Sequence, residues 1–366
     1  MALVIVLSAF NGISALVFGL YNTFDPDLKI TPVEGKTFVL SPDDKAKVKN
    51  VEGVVYFTEV LQENALLKYD EKQVIATIKG VNEDFVKMTR LDTVTREGEF
   101  MLQHDKIDYA VLGYGLAHRL NISLTDFMHP LEIYVPKRGT QALLNPEDAF
   151  LVRSVEVSGV FSLNDDFDYR FSIIPLSLAR TLLGRENELS AIEIGIDKSK
   201  DLEKIKTEIA SVLGDAFEIK TRFEQNEVLF KTINSEKWWT FLILAFILVI
   251  ATFNVIGSLT MLIIEKKKDI QTLMFLGANK KLIEKIFMRE GLMITLSGVL
   301  GGIALGLLLC WIQNTFKLVP FSEGFIVDSY PIKVIPTDLL LVLGTVLLIG
   351  FFAAWYPVRV FTRKFQ

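Results

Sequence analysis

Four apolar stretches, each long enough to cross a hydrocarbon core of about 30 Å as a helix, constrain this chain more than any other feature. They are residues 2–20, 238–264, 291–316 and 336–358. The mean hydropathy is nevertheless only +0.36, too low for a bare helical bundle, because residues 21–237 have an ordinary water-soluble composition. The sequence therefore predicts a membrane protein with four transmembrane α-helices and a large α+β extracytoplasmic domain between the first two. The first stretch has no basic segment before it, and Asn11-Gly12 interrupts its apolar run. It thus reads as a retained helix and not as a cleaved signal. A full-length precursor is expected to carry a basic cytoplasmic segment upstream.

Orientation follows from Lys and Arg in the short connections. Segment 265–290 carries Lys266, Lys267, Lys268, Lys280, Lys281, Lys285 and Arg289, and the tail 359–366 carries Arg359, Arg363 and Lys364. Both are assigned to the cytoplasm. Connection 317–335 holds only Lys317 and Lys333, so it lies outside with 21–237. That large outer segment has 27 Lys and Arg against 37 Asp and Glu, an acidic balance that argues against a nucleic-acid partner. The lone Cys310 excludes an intramolecular disulfide and a multi-cysteine zinc site.

Within the outer segment, short β-rich runs alternate with short helical ones. Strands are expected near 53–58, 73–80, 131–135, 151–161, 168–174, 191–196 and 217–220. Helices are expected near 41–48, 82–87, 113–120, 175–183, 201–213 and 224–237, the last leading directly into the second membrane helix. Pro175 is placed in a helical first turn, with Gly184 as the stop. Residues 136–148 form a polar excursion between two strands, longer than a hairpin needs.

No GxxxxGK[ST] phosphate loop, HExxH or GxSxG is present, and His104, His118 and His129 have no ligand spacing. An enzyme is not indicated, and no cofactor is expected on this chain. If ATP and Mg drive it, a partner subunit binds them. In segment 265–290, apolar residues Ile270, Leu273, Met274, Leu282, Ile283, Ile286 and Phe287 recur at helical spacing around Gly277-Ala278-Asn279. Two short amphipathic helices are expected, either lying on anionic lipid or docking into a protein groove. Gly298, Gly302 and Gly306 form a small-residue stripe suited to close helix packing. Asn254, near the middle of the second membrane helix, is expected to face protein, with an interhelical hydrogen bond as its default role.

The run EKKKDIQTLMFLGANKKLIEKIFMREG at 265–291, the glycine-rich third helix and YPVRVFTRK at 356–364 resemble the C-terminal domain shared by MacB, FtsX and lipoprotein-releasing (LolC/LolE) permeases. LVIVLSAFNG at 3–12 resembles the first helix of the lipoprotein-releasing branch, with Ile13 in place of that branch's Phe. The resemblance implies a coupling helix received by a cytoplasmic ATP-binding-cassette ATPase dimer, a role falling on Glu265, Lys266, Lys268, Asp269, Ile270, Leu273, Gly277 and Ala278. It implies a second permease subunit, identical or homologous. It also implies an acylated lipoprotein substrate drawn from membrane lipid, with Leu229, Phe230, Ile233 and Trp238 as candidates for the cavity wall; Asn254 joins them as an alternative substrate contact because intramembrane polar groups often mark pathways. Excursion 136–148, with Pro136, Lys137, Arg138, Gly139 and Pro146, occupies the place of the loop that contacts a periplasmic lipoprotein carrier. Two other readings stay open: an efflux or signalling permease that moves a partner without extracting lipid, and a membrane-anchored binding module.

Overall fold

The computed structural model describes residues 1–126, 128–137, 149–320 and 329–362. The described chain divides into two compact units, one of residues 18–227 and the other of residues 1–17, 228–320 and 329–362.

The first unit is built on one mixed sheet. Its strands are β1 (Leu28–Pro32), β2 (Val54–Tyr69), β3 (Lys72–Val81), β4 (Thr95–Gly98), β5 (Gln103–His104), β6 (Ile107–Gly113), β7 (Leu131–Pro136), β8 (Phe150–Phe161), β9 (Phe171–Pro175), β10 (Ala191–Ile196) and β11 (Phe217–Thr221). Among the described residues they run in the order β11-β1-β10-β2-β3-β9-β6-β8-β4, with β5 on β6 and β7 bridging β2 and β8. The β3/β9 and β6/β8 pairs are parallel and the others antiparallel. β2 runs eleven residues past the expected end at 58, since Gln62-Glu63-Asn64 conceals the alternation that resumes at buried Ala65, Leu67 and Tyr69. That polar stretch marks where β2 changes neighbours. β10 pairs with it up to Val60, and β7 takes over from Leu66.

After α1 (Ala2–Phe24), the helices of this unit are α2 (Pro42–Lys49), α3 (Asp84–Thr89), α4 (Tyr114–Leu120), α5 (Asp165–Asp168), α6 (Leu176–Leu183), α7 (Leu202–Leu213) and α8 (Arg222–Gln225). Pro175 is the N-cap of α6 and not its first turn, while Gly184 closes it at φ +61° as expected. α7 starts at Asp201, whose carboxylate accepts from the Glu203 N–H at 3.0 Å. Its Ile205 and Ile209 are buried with Leu28, Ile30, Ile192 and Ile194 of the sheet.

The second unit contains α9 (Glu227–Glu265), α10 (Lys267–Phe275), α11 (Lys280–Phe316) and α12 (Pro336–Thr362), together with the first part of α1. At 1.5 Å per residue the 39-residue α9 is about 58 Å long, nearly twice a hydrocarbon core. One helix therefore holds both the second membrane span and a projecting segment. The connecting helix expected at 224–237 is divided: α8 stops at Gln225, Asn226 adopts a non-helical φ of −119°, and α9 begins afresh at Glu227. The second of the two expected amphipathic helices is no separate element either. It forms the first turns of α11, which runs on without a break into the third apolar span.

Candidate functional site

The connection between α9 and α11 is a short helical hairpin. The chain turns at Lys266, forms α10, and reverses at Leu276–Asn279 through Gly277 at φ +98°, a conformation that suits glycine. The Ala278 N–H donates to the Leu273 carbonyl at 2.9 Å, and Asn279 Oδ1 accepts from the Leu282 N–H at 2.9 Å to start α11. Ile270, only 2 % exposed, packs with Ile263, Ile283, Phe287 and Val358, with Ala278 against the same cluster. It anchors α10 to α9, α11 and α12 and presents no knob to a partner. Toward the turn the hairpin is open. Leu273 and Met274 are exposed, Phe275 is 91 % exposed and Leu276 81 % exposed. At the other end of α10, Glu265, Lys266, Lys268 and Asp269 are exposed, with Lys266 Nζ 3.2 Å from Asp269. Phe275 and Leu276 lie outside the residues singled out from sequence; the signal was an apolar LMFL run placed directly before a glycine turn.

The five candidate substrate contacts of α9 do not share a face. Phe230 is buried, and Leu229 and Ile233 are half-buried beside it on one stripe. Trp238 stands roughly 140° around the helix from Ile233 at 100° per residue and is exposed. The inward stripe continues instead through Leu244 and Leu248, which pack on the cluster of Leu3, Val4, Leu7 and Val342. Asn254 is exposed, and the interhelical hydrogen bond expected of it is not made among the described residues.

Leu244, Leu248, Ala251 and Val255 of α9 border an apolar space of about 480 Å³ at the first residues of the sequence, Met1, Ala2 and Leu3, with Gly298 and Gly302 of α11 and Val342 and Val346 of α12 on its other sides. The glycine stripe packs on α1: a Cβ at Gly306 would meet Val4 at 3.0 Å and one at Gly302 would meet the Met1 nitrogen at 3.1 Å.

Pro136 and Lys137 lie at the β7–β8 hairpin, where the Lys137 N–H donates to the Ala149 carbonyl at 2.7 Å. Arg138, Gly139 and Pro146 lie outside the described residues.

In the sheet domain, the two points where the chain enters and leaves are tied together. Asn226 Nδ2 donates to Asp25 Oδ2 at 2.6 Å, Arg222 Nε to the Asp25 carbonyl at 3.0 Å, and Arg222 pairs with Asp27 at 3.0 Å. Beneath them is a buried ion pair: Lys79 Nζ lies 2.8 Å from Glu193, with the two side chains 3 % and 1 % exposed. The ammonium also lies 4.5 Å from the ring centres of Phe24 and Phe85. Burial lowers the Lys79 pKa and raises that of Asp25.

Residues 1–212 match the MacB-like periplasmic core domain, and residues 241–364 match the FtsX-like permease C-terminal domain. The chain is 23 % identical over 326 residues to the lipoprotein-releasing system transmembrane protein LolE of Haemophilus influenzae, covering 85 % of this chain and 74 % of that one. It is 27 % identical over 263 residues to the lipoprotein-releasing system transmembrane protein LolC of Neisseria meningitidis, covering 68 % and 61 % respectively. The periplasmic region of MacB from Actinobacillus actinomycetemcomitans superposes with a TM-score of 0.41 at 14 % identity, covering 60 % of this chain and 98 % of that structure.

Proposed function

Since the chain belongs to the permease family with a MacB-like periplasmic core domain and an FtsX-like C-terminal domain, an inner-membrane ATP-binding-cassette permease family, we propose that it extracts acylated lipoproteins from the outer leaflet. In this reading a cytoplasmic ATPase dimer holding ATP and Mg closes against the α10 hairpin. α9 carries the motion across the membrane, and the substrate passes to a periplasmic carrier.

The observation that carries the coupling step is the exposed Phe275–Leu276 tip beside a rigidly anchored α10. Large apolar side chains exposed at the turn of a helix hairpin are what a desolvated protein groove would receive. Two relatives with lipoprotein-releasing names support the choice of substrate. The need for ATP is physical, because each lipid CH₂ leaving the bilayer costs about 0.8 kcal/mol. A second permease subunit is supported by exposed Asn254 on α9, since an amide at mid-membrane depth is poorly placed against lipid.

If the inward stripe of α9 guides acyl chains, photocrosslinkers at Ile233 and Leu244 capture a radiolabelled lipoprotein in the nucleotide-free complex, and one at Trp238 captures little. Bulk at the stripe, Ile233→Trp, lowers release at least fivefold while ATP hydrolysis continues. A glutamate there would be a poor probe, because it would compete with Asp338 for Lys237 one turn on. Absence of any crosslink at Ile233, Leu244 and Leu229, with normal release by Ile233→Trp, would favour a permease that moves a periplasmic partner mechanically and extracts no lipid.

A further inference from the structure

The Asn11-Gly12 pair that interrupts the first apolar run sits at the meeting point of three helices. Asn11, buried in α1, uses both ends of its amide: Nδ2 donates to Asp338 Oδ2 of α12 at 2.6 Å, and Oδ1 accepts from Lys237 Nζ of α9 at 2.9 Å. Lys237 closes the triangle on Asp338 Oδ2 at 2.8 Å. Gly12 serves the same junction, since a Cβ there would collide with the Pro331 carbonyl. The Lys333 N–H donates to the Ser8 carbonyl at 2.9 Å, holding the segment before α12 against α1.

The junction lies where α9 passes into its apolar run at Trp238 and where α12 makes its first turn. On its inner side is the purely apolar cluster of Leu3, Leu7, Phe241, Leu244 and Val342. If the helices needed only to be held together, apolar packing would serve better, because an ion pair taken from water recovers little net energy. A polar triangle differs from such packing in being reversible. The Lys237 and Asp338 side chains keep 25 % and 18 % exposure, so water can take over their hydrogen bonds when the helices part. Apolar side chains at the same place would have no such substitute.

We propose that Asn11, Lys237 and Asp338 form an outer latch that fastens α1, α9 and α12 in the conformation seen here and opens in each transport cycle. This inference rests on the chain being an ATP-driven permease. The latch residues are positioning residues: they set how readily the outer ends of the helices separate, and they need not touch the substrate. Because the latch belongs to one of two states, weakening it shifts the population toward the other.

The test uses the full complex with its ATPase and reads substrate-free ATP hydrolysis per assembled complex. Lys237→Met and Asp338→Asn are each expected to raise that rate at least threefold without lowering the amount assembled. Exchanging the charges, Lys237→Asp with Asp338→Lys, is expected to bring the rate back to within twofold of the parent, since the Asn11 amide can turn to serve either arrangement. Single variants that assemble and hydrolyse at the parental rate overturn the latch, as does an exchange that behaves like the singles. If even the conservative Asp338→Asn fails to assemble, the triangle is a fixed structural brace and the latch is again overturned. A parent chain that supports no ATP hydrolysis contradicts the permease reading itself and removes the latch with it.

Discussion

Replacing Phe275 and Leu276 together with aspartate is expected to abolish assembly with the cytoplasmic ATPase while the chain remains folded in the membrane. Both side chains project from the hairpin, so their loss removes no internal packing. If each is an anchor in a desolvated groove, truncation alone costs about 2 kcal/mol apiece, and burying a carboxylate adds to that. About 4 kcal/mol in total lowers affinity near a thousandfold at 1.4 kcal/mol per tenfold. Co-purification of the ATPase with the tagged permease is the readout. Ile270→Asp would also destroy coupling, but uninformatively, because it places a charge in the cluster that holds α10 against α9, α11 and α12. Normal co-purification of the Phe275→Asp/Leu276→Asp protein would mean that the hairpin merely lies on the lipid surface.

The second large effect lies in the sheet domain. Lys79→Met leaves Glu193 buried without its partner, a change that costs about 3–5 kcal/mol where a buried pair is broken on one side. The paired replacement Lys79→Met/Glu193→Leu is expected to recover a large part of this, since it leaves no unpaired charge at either site and Phe24 and Phe85 already pack against position 79. Tryptophan fluorescence cannot follow the domain, because Trp238, Trp239, Trp311 and Trp355 all lie outside it. Hydrogen exchange in β3 and β10 can. Protection there should fall on the order of a hundredfold or more in the single variant and return in the pair. Equal protection in Lys79→Met and the parent would show that the pair contributes nothing to stability.

The membrane spans were legible in the sequence because twenty apolar residues have few alternatives in water. Helix α7 was legible for a related reason: a capping aspartate, apolar residues at helical spacing and a terminal glycine all agree. β2 was read short because the partners that make Gln62, Glu63 and Asn64 acceptable in a strand come from β3, and no local pattern reports them. β1 and β6 escaped for a similar reason, each being short and fixed by neighbours far away in sequence. At the α10 hairpin, the spacing of Ile270 and Leu273 gave the amphipathic character but could not tell which apolar residues the chain covers with its own helices. Only the arrangement of α9, α11 and α12 turns Ile270 inward and leaves Phe275 and Leu276 outside. Asn11 was visible as a break in an apolar run, but its partners Lys237 and Asp338 are 226 and 327 residues away.

The most direct test of the central claim is release of a radiolabelled, acylated lipoprotein from proteoliposomes containing the chain, its partner permease and the ATPase, with a soluble carrier outside. The account predicts that label passes to the carrier only when ATP is hydrolysed, that the same polypeptide without its acyl chains does not stimulate the complex, and that Phe275→Asp/Leu276→Asp abolishes transfer. An assembled complex that hydrolyses ATP at full rate yet leaves the acylated lipoprotein in the bilayer would contradict it.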